Sequence, residues 1–215
     1  MHNEFQRQLN RIAETHFYLR PKLVEALRHQ RITEDARAVI GDYTTYADYW
    51  AATYSDRFFD MGTFIRLGSA IESCLKWFYM FTKGYTNIPQ LTADSGFRPN
   101  IFQRVHAWHK EDGVLALYRR ELGVDLTEYP SLIAIQEAML HRHLYAHGSG
   151  LVDAKYLERI QLVTGNDLRR DPTIASSFPD CDTYWFEPLT RLPEFIQHAR
   201  TFFARFPESH DRRAR

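Results

Sequence analysis

The sequence of 215 residues predicts an all-α bundle. Apolar side chains recur every three or four residues over most of the chain, which is the period of one face of a helix. Glycines, prolines and capping residues fall between these stretches, where helices begin and end. No segment alternates polar and apolar residues for long enough to indicate a half-buried β-strand. These three observations together place the chain among the helical bundles.

The first 55 residues predict two helices followed by an aromatic stretch. Residues 3–30 have the spacing of one helix face, and Pro21 should kink or split this helix because proline has no backbone N–H. Thr33 can cap a second helix that continues to Ile40. We interpret the aromatic side chains that follow, at roughly helical spacing, as core or dimer contacts; they are Tyr43, Tyr46, Tyr49, Trp50, Tyr54, Phe58 and Phe59.

The longest predicted helix covers residues 56–83. Its apolar positions follow the i, i+3, i+4 rule, and Gly84 provides a C-terminal stop. Cys74 lies within this apolar pattern. Gly68 and Ala70 are small enough to let a second helix approach this one closely.

Loops and shorter helices complete the chain. Prolines and glycines predict loops at residues 85–98 and 164–183. A helix that begins near Thr127, with Pro130 in its first turn, should run until Gly148. The remaining helices are predicted at 101–108, 114–122, 154–162 (after the cap Asp153) and 188–206.

Composition and charge exclude several classes of protein. Lys and Arg together number 27, as do Asp and Glu, so broad electrostatic attraction to nucleic acid is not expected and any such site must be local. The two cysteines, Cys74 and Cys181, are far apart and form no CxxC motif, which favours a reduced, cytoplasmic protein. The polar N-terminus does not resemble a secretory signal, and no apolar run is long enough to span a bilayer, so no membrane partner is expected.

The residues best suited to chemistry lie at the end of the helix that stops at Gly148, in the hexapeptide RHLYAH at 142–147. It holds a permanent cation, Arg142, close to a proton-transferring side chain, His147. These two are about 140° apart on an ideal helix with about 3.6 residues per turn, although the glycines that follow would let the last turn loosen. His143 and His147 share a face, so three functional groups gather at one helix end.

A second pair of charged residues lies in the long helix. Glu72 and Lys76 are four residues apart and can stabilise that helix by their mutual attraction. If Glu72 is buried, its carboxylate needs a partner, and the guanidinium of Arg142 is well suited to be one. The residues alone leave both interpretations open.

These two groups of residues together resemble the motifs of HEPN domains (higher eukaryotes and prokaryotes nucleotide-binding). Arg142, His143 and His147 match the Arg-[Asn/Asp/His]-x3-His motif, and the Glu-x3-Lys of Glu72 and Lys76 is similar to a second motif on an earlier helix of the family. The stretch after the first motif is similar to HEPN proteins of phage-defence and abortive-infection systems. Residues 58–160 carry the resemblance.

The resemblance implies a division of the chain into three parts. A HEPN-like helical domain would occupy residues 56–206. An N-terminal helical extension at 1–55, which the resemblance does not cover, would pack on this core. Residues 207–215 would form a flexible tail.

The resemblance also implies an activity, namely that of a metal-independent endoribonuclease that needs no cofactor. The 2′-hydroxyl of RNA would attack the adjacent phosphate and leave a 2′,3′-cyclic phosphate and a 5′-hydroxyl. In this scheme Arg142 holds the scissile phosphate, and His147 acts as base or acid. His143 binds a phosphate oxygen or holds His147, Glu72 orients Arg142, and Lys76 supports Glu72.

Partners and biological role follow from the same resemblance. Members of the family commonly dimerise, so a homodimer with a composite active site is expected, and RNA is the substrate. The target could be tRNA, mRNA or rRNA. The protein would be a toxin or an anti-phage defence effector, restrained by an antitoxin or a regulatory subunit. Local cations that could guide an RNA strand are Lys110, Arg119 and Arg120.

One position departs from a subset of the family. Those HEPN toxins have a tyrosine two residues after the motif histidine, and a partner nucleotidyltransferase modifies it. Ser149 stands at this position, so control by modification of a tyrosine there is not expected.

Two other functions are consistent with the same residues. His141, His143 and His147 could bind zinc, with His106 and His109 nearby in sequence, but His141 would point about 200° away from His143 on a helix. Alternatively, the chain could be a non-catalytic HEPN-like module that binds RNA or a nucleotide, or that assembles with a partner.

Overall fold

The computed structural model describes residues 2–53, 55–98, 100–171 and 183–206. Helices dominate these ranges, so the predicted all-α class is confirmed. The strands within them are a two-residue antiparallel pair, with Leu151 opposite Tyr184. Cys181, Tyr54 and the tail predicted at 207–215 lie outside the described residues, as does most of the loop predicted at 164–183.

Helices follow one another along most of the described chain. They are α1 His2–Glu14, α2 Arg20–Arg28, α3 Glu34–Ile40, α4 Tyr46–Thr53, α5 Arg57–Thr82, α6 Ile88–Ala93, α7 Val114–Leu122, α8 Leu132–Gly148, α9 Ala154–Thr164, α10 Glu187–Thr190 and α11 Leu192–Ala204. The strands are β1 Leu151–Val152 and β2 Thr183–Tyr184. Short 3-10 turns occur at Val105–Ala107, Leu126–Glu128 and Leu168–Arg170.

The interruption predicted at Pro21 takes the form of a π turn. This turn, Thr15–Leu19, joins α1 to α2 without a break in the helical rod. Because Pro21 cannot donate to the carbonyl of Phe17, the α-helical hydrogen-bond pattern fails one turn before it. The N–H of Arg20 instead donates to the carbonyl of Thr15, five residues back.

Three predicted local features are wrong. The loop predicted at 85–98 contains α6, which is capped by Asn87: its Oδ1 accepts from the N–H of Gln90 at 3.0 Å. Pro89 sits in the first turn of α6, where its missing N–H costs nothing. The helix predicted at 101–108 is a series of turns with one 3-10 segment. Thr127 lies in a 3-10 turn instead of capping α8, which begins at Leu132.

The helix α5 is the central element of the bundle, and its predicted span and its stop near Gly84 are confirmed. It packs antiparallel to α8: Phe64 meets Tyr145 with ring centroids 5.5 Å apart, and Gly68 meets Arg142 one turn further along. Buried side chains of α1, namely Phe5, Leu9 and Ile12, belong to the same core as those of α5, α8 and α11. None of the helices in the described ranges combines the length and apolar character that a bilayer span requires.

The described aromatic side chains of the stretch at 42–61 do not form part of the core. Its helix α4 has no buried residue. Phe58, at the start of α5, is 54% exposed. For the aromatic residues that the structure describes, the interpretation as core is therefore wrong, and the interpretation as dimer contacts stays a prediction.

Candidate active site

The hexapeptide at 142–147 occupies the last two turns of α8. This helix remains regular until Gly148, and the N–H groups of Ser149 and Gly150 both donate to the carbonyl of Leu144. Both residues have a positive φ, 51° and 91°, which turns the chain away from the helix axis. The predicted loosening of the last turn is therefore wrong, and Arg142 and His147 stay on different sides of α8.

Arg142 lies across α5, directly over Gly68. A Cβ added at Gly68 would come within 2.6 Å of the Cβ and 2.5 Å of the Cγ of Arg142, so the close approach predicted at Gly68 is confirmed. The side chain of Arg142 is half-buried, and its Nε is buried without a hydrogen-bond partner among the described residues. A buried donor without a partner is costly, and movement of the guanidinium towards an acceptor such as a phosphate oxygen would relieve that cost.

His143 and His147 lie side by side on the opposite edge of α8. Both are exposed, and their ring centroids are 4.6 Å apart. They line an open pocket of about 310 Å³ between α8 and α9. The other residues that line it are Leu140, Leu144, Gly148, Leu151, Asp153, Lys155, Tyr156 and Arg159.

The surroundings of His143 favour its neutral form. Partial desolvation of the ring in the pocket lowers its pKa below the ordinary value of 6.5, and the electrostatic influence of His147, Arg159 and Arg142 lowers it further. Asp153 opposes this shift. At pH 7 the ring of His143 is therefore mostly uncharged and can accept a proton or a hydrogen bond.

Glu72 is buried, but its partner is not Arg142. The Oε1 of Glu72 accepts from the Nζ of Lys76 at 2.5 Å and from the Nε2 of Gln103 at 3.1 Å. Within the described part of the chain, no hydrogen bond or ion pair joins it to Arg142. The structure therefore brings together Glu72 and Lys76, one turn of α5 from Gly68, without the predicted link to the hexapeptide.

His141 points into the core, away from His143, as the helical rotation predicts. Its side chain is fully buried, its Nδ1 lies 2.7 Å from the hydroxyl of Tyr156, and its Nε2 lies 3.3 Å from Glu137. Glu137 in turn accepts from Arg191 at 2.9 Å. His141 therefore cannot meet His143 and His147 at one metal ion, and no group of three His, Cys, Asp or Glu side chains suited to a metal occurs in the described ranges.

We expect His141 to make the fold sensitive to acid. Burial lowers its pKa below 6.5 in the folded state, so the unfolded chain binds its proton more readily. The buried neutral ring of His141 stabilises the fold fully above pH 6.5, and this stabilisation is lost as the pH falls below that value. Urea unfolding of the wild type and of His141→Gln between pH 8 and pH 5 measures this. The loss of unfolding free energy on acidification should be smaller in the variant, and equal losses would contradict the assignment.

The cations predicted to guide RNA fall into two groups. Arg119 donates to Asp125 at 2.5 Å and Arg120 to Glu121 at 2.8 Å, so both are already paired with carboxylates. The exposed side chain of Lys110 forms no hydrogen bond or ion pair with a described residue. The sequence-based prediction therefore chose two cations that have partners.

Two cations that the sequence did not single out line the pocket itself. Lys155 and Arg159 are four residues apart on α9, and they face the histidine pair. Their i, i+4 spacing directly after the cap Asp153 is visible in the sequence. What the sequence could not show is that α9 packs against the last turns of α8.

Comparisons with known proteins give no further assignment. The chain matches no protein-family model, no curated protein and no solved structure. Any functional assignment therefore rests on the geometry around the hexapeptide and on the resemblance of its motifs.

Proposed function

We propose that the protein is a metal-independent endoribonuclease with a HEPN-like helical domain. The observation that carries the proposal is the pair of exposed imidazoles, His143 and His147, at an open pocket with two cations that have no partner among the described residues. Arg142 adds a guanidinium N–H, also unpartnered within the described ranges, on the neighbouring edge of the same helix. These are the groups that RNA cleavage through the 2′-hydroxyl requires.

The reaction needs a base, an acid and a cation. The base removes the proton of the 2′-hydroxyl, the 2′-oxygen bonds to phosphorus, and the acid gives a proton to the departing 5′-oxygen. His147 acts as base or acid, since the ordinary pKa of histidine is near 6.5. Arg142 holds the phosphate and stabilises the charge of the phosphorane. His143, mostly neutral at pH 7, accepts a hydrogen bond from His147 or contacts a phosphate oxygen.

A homodimer completes this scheme. Within one protomer Arg142 lies on the α5 side of α8 and His147 on the α9 side. Two copies that pair through the ends of α8 would bring Arg142 of one protomer close to the pocket of the other. The two His147 side chains could then act as base and acid, one from each protomer.

The biological setting that suits this activity is a toxin or an anti-phage defence effector in the cytoplasm. A ribonuclease without restraint harms its own host, so an antitoxin or a regulatory subunit is the expected partner. Modification of a tyrosine after the motif is not the proposed control, because Ser149 occupies that position.

A non-catalytic module that binds RNA is the second candidate. The observation that favours it is the absence of a contact between Glu72 and Arg142 within the described residues, because the two HEPN-like motifs then remain unconnected in one protomer. Such a module would bind RNA at the same pocket and leave it intact.

End-group analysis of RNA incubated with the protein in excess chelator separates these candidates. A ribonuclease of the proposed type leaves 2′,3′-cyclic phosphate and 5′-hydroxyl ends, and Arg142→Ala should reduce cleavage strongly. Arg7→Ala is the matched control, because Arg7 is an exposed arginine on α1. RNA that is bound but stays uncut would support the second candidate. Cleavage that stops in chelator, or that leaves 5′-phosphate ends, would contradict the proposed chemistry.

A further inference from the structure

Two pairs of side chains face each other across the pocket between α8 and α9. His143 and His147 are one turn apart on α8, and Lys155 and Arg159 are one turn apart on α9. The chain reverses at Ser149 and Gly150, so Lys155 follows closely after His147 while Arg159 extends back towards His143. The effect of Arg159 on the pKa of His143 is consistent with this pairing.

The two cations of α9 lack a partner in the part of the chain that the structure describes. Neither side chain forms a hydrogen bond or an ion pair there, although Arg159 is half-buried. The acidic residue that lines the pocket is Asp153, and its Oδ1 caps α9 by accepting from the N–H of Tyr156 at 2.6 Å. Lys155 also sits in the first turn of α9, where the helix dipole disfavours a cation. An anionic ligand would provide a partner for Arg159 and would offset the unfavourable position of Lys155.

The positive charge continues beyond the pocket. Burial lowers the pKa of His106, and Arg159, Arg104 and Lys110 lower it further by their charge. Arg159 lines the pocket, and its helix α9 packs against the 3-10 turn Val105–Ala107, which follows Arg104 directly in the chain. The side chains of Arg104 and Lys110 are exposed and also lack a partner among the residues described. Around the neutral ring of His106, the four cations form a cationic strip, which we define as Lys155, Arg159, Arg104 and Lys110.

We propose that Lys155 and Arg159 bind the phosphate next to the scissile one, and that the RNA strand leaves the pocket along the cationic strip. This inference rests on the proposed function, since it takes the His143–His147 pair as the place of cleavage. Residues four apart on a helix are separated by about 6 Å along its axis, so the two cations can hold one phosphate or bridge two neighbouring ones.

The ligand on this strip is a single strand. The strip follows one path from the pocket over one 3-10 turn, and it offers cations to one backbone. In-line attack also requires the 2′-oxygen to turn opposite the departing 5′-oxygen, and a base-paired A-form helix restrains that rotation. A single-stranded loop or end of a folded RNA therefore fits the site better than a duplex.

Binding to a catalytically impaired protein tests the strip without cleavage. In the His147→Ala background, the affinity for a labelled single-stranded RNA oligonucleotide is measured by fluorescence anisotropy at several salt concentrations. Removing both cations, as in Lys155→Ala with Arg159→Ala, should weaken binding and reduce the slope of log affinity against log salt by about 0.7 for each lost phosphate contact. Arg159→Gln keeps most of the side-chain volume and removes one of the two charges. This variant should show about half of the loss in affinity and about half of the reduction in salt slope. Arg7→Ala should change neither quantity.

Cleavage by the otherwise wild-type protein separates the failure of this inference from the failure of the proposed function. With His147 present, the double variant should raise KM much more than it lowers kcat. If the wild-type protein cleaves RNA and the double variant has the same affinity and KM, the proposed binding role of the strip is wrong but the proposed ribonuclease activity stands. If the wild-type protein does not cleave RNA but the double variant binds RNA more weakly, the binding role of the strip is supported and the ribonuclease activity is rejected. A duplex of the same sequence that binds as tightly as the single strand would overturn the preference for single strands.

Discussion

His147→Ala is expected to reduce RNA cleavage strongly and leave the fold intact. The side chain is exposed in the last turn of α8, and its ring contact is with His143, so little packing is lost. Acid–base catalysis by a positioned side chain contributes about 10²–10⁴-fold to a rate, and the variant should lose a factor of that order. Single-turnover cleavage of an end-labelled RNA in chelator measures the loss.

Two further variants make this result specific. His29→Ala removes an exposed histidine at the end of α2 and should cleave at the wild-type rate. His143→Ala removes the neighbouring ring and should lose less activity than His147→Ala, because its proposed part is to position a group or to contact phosphate. Wild-type cleavage by His147→Ala, with its unfolding curve unchanged, would refute the assignment of the site.

Gly68→Ala is expected to destabilise the protein, although alanine is the better helix former. A Cβ at this position would lie 2.5 Å from the Cγ of Arg142, and the Cβ and Cγ atoms of Arg142 are too close to the α8 backbone to move freely. The gain in helix propensity is about 1 kcal/mol, whereas overpacking of this kind costs about 1–3 kcal/mol. We expect a net loss in the free energy of unfolding, measured in urea.

Gly62→Ala is the matched control on the same helix. A Cβ at Gly62 would meet no atom within 4 Å, so the variant should gain about 0.5–1 kcal/mol. Gly68→Ala should also displace Arg142 and reduce RNA cleavage by about 10–100-fold, since a small misplacement near the reacting centre has effects of that size. If both alanine variants were equally stabilised, α5 and α8 could not be packed as described.

The sequence predicted those parts of the fold that depend on local patterns. The long helix α5, the end of α7 near Gly123 and the end of α8 at Gly148 follow from apolar periodicity and from the glycines that punctuate it. The cap at Asp153 is another local signal, and its side chain accepts from the backbone as expected. In each case the information lies within one or two turns of the residue concerned.

Two of the wrong predictions concern a local signal that has two meanings. Pro89 favours the predicted loop, yet proline in a first helical turn is equally compatible with α6. Thr127 has the chemistry of a cap, but Asp125 performs that part for its 3-10 turn, and its Oδ1 accepts from the N–H of Thr127. Asp125 and Thr127 are only two residues apart, so capping propensity alone could not decide which of the two side chains acts as the cap.

The sequence by itself determined which chemical groups stand at the end of α8 and which of them share a face. It separates His141 from His143 and His147, because rotation along a helix is set by the backbone. The tertiary structure alone decided which distant groups meet. Across the described residues, it places Arg142 against Gly68, joins Glu72 to Gln103, and leaves Lys155 and Arg159 without partners beside the histidines. The reason is physical: hydrogen bonds, ion pairs and burial depend on which helices meet, and contacts between distant segments leave no periodic trace in the sequence.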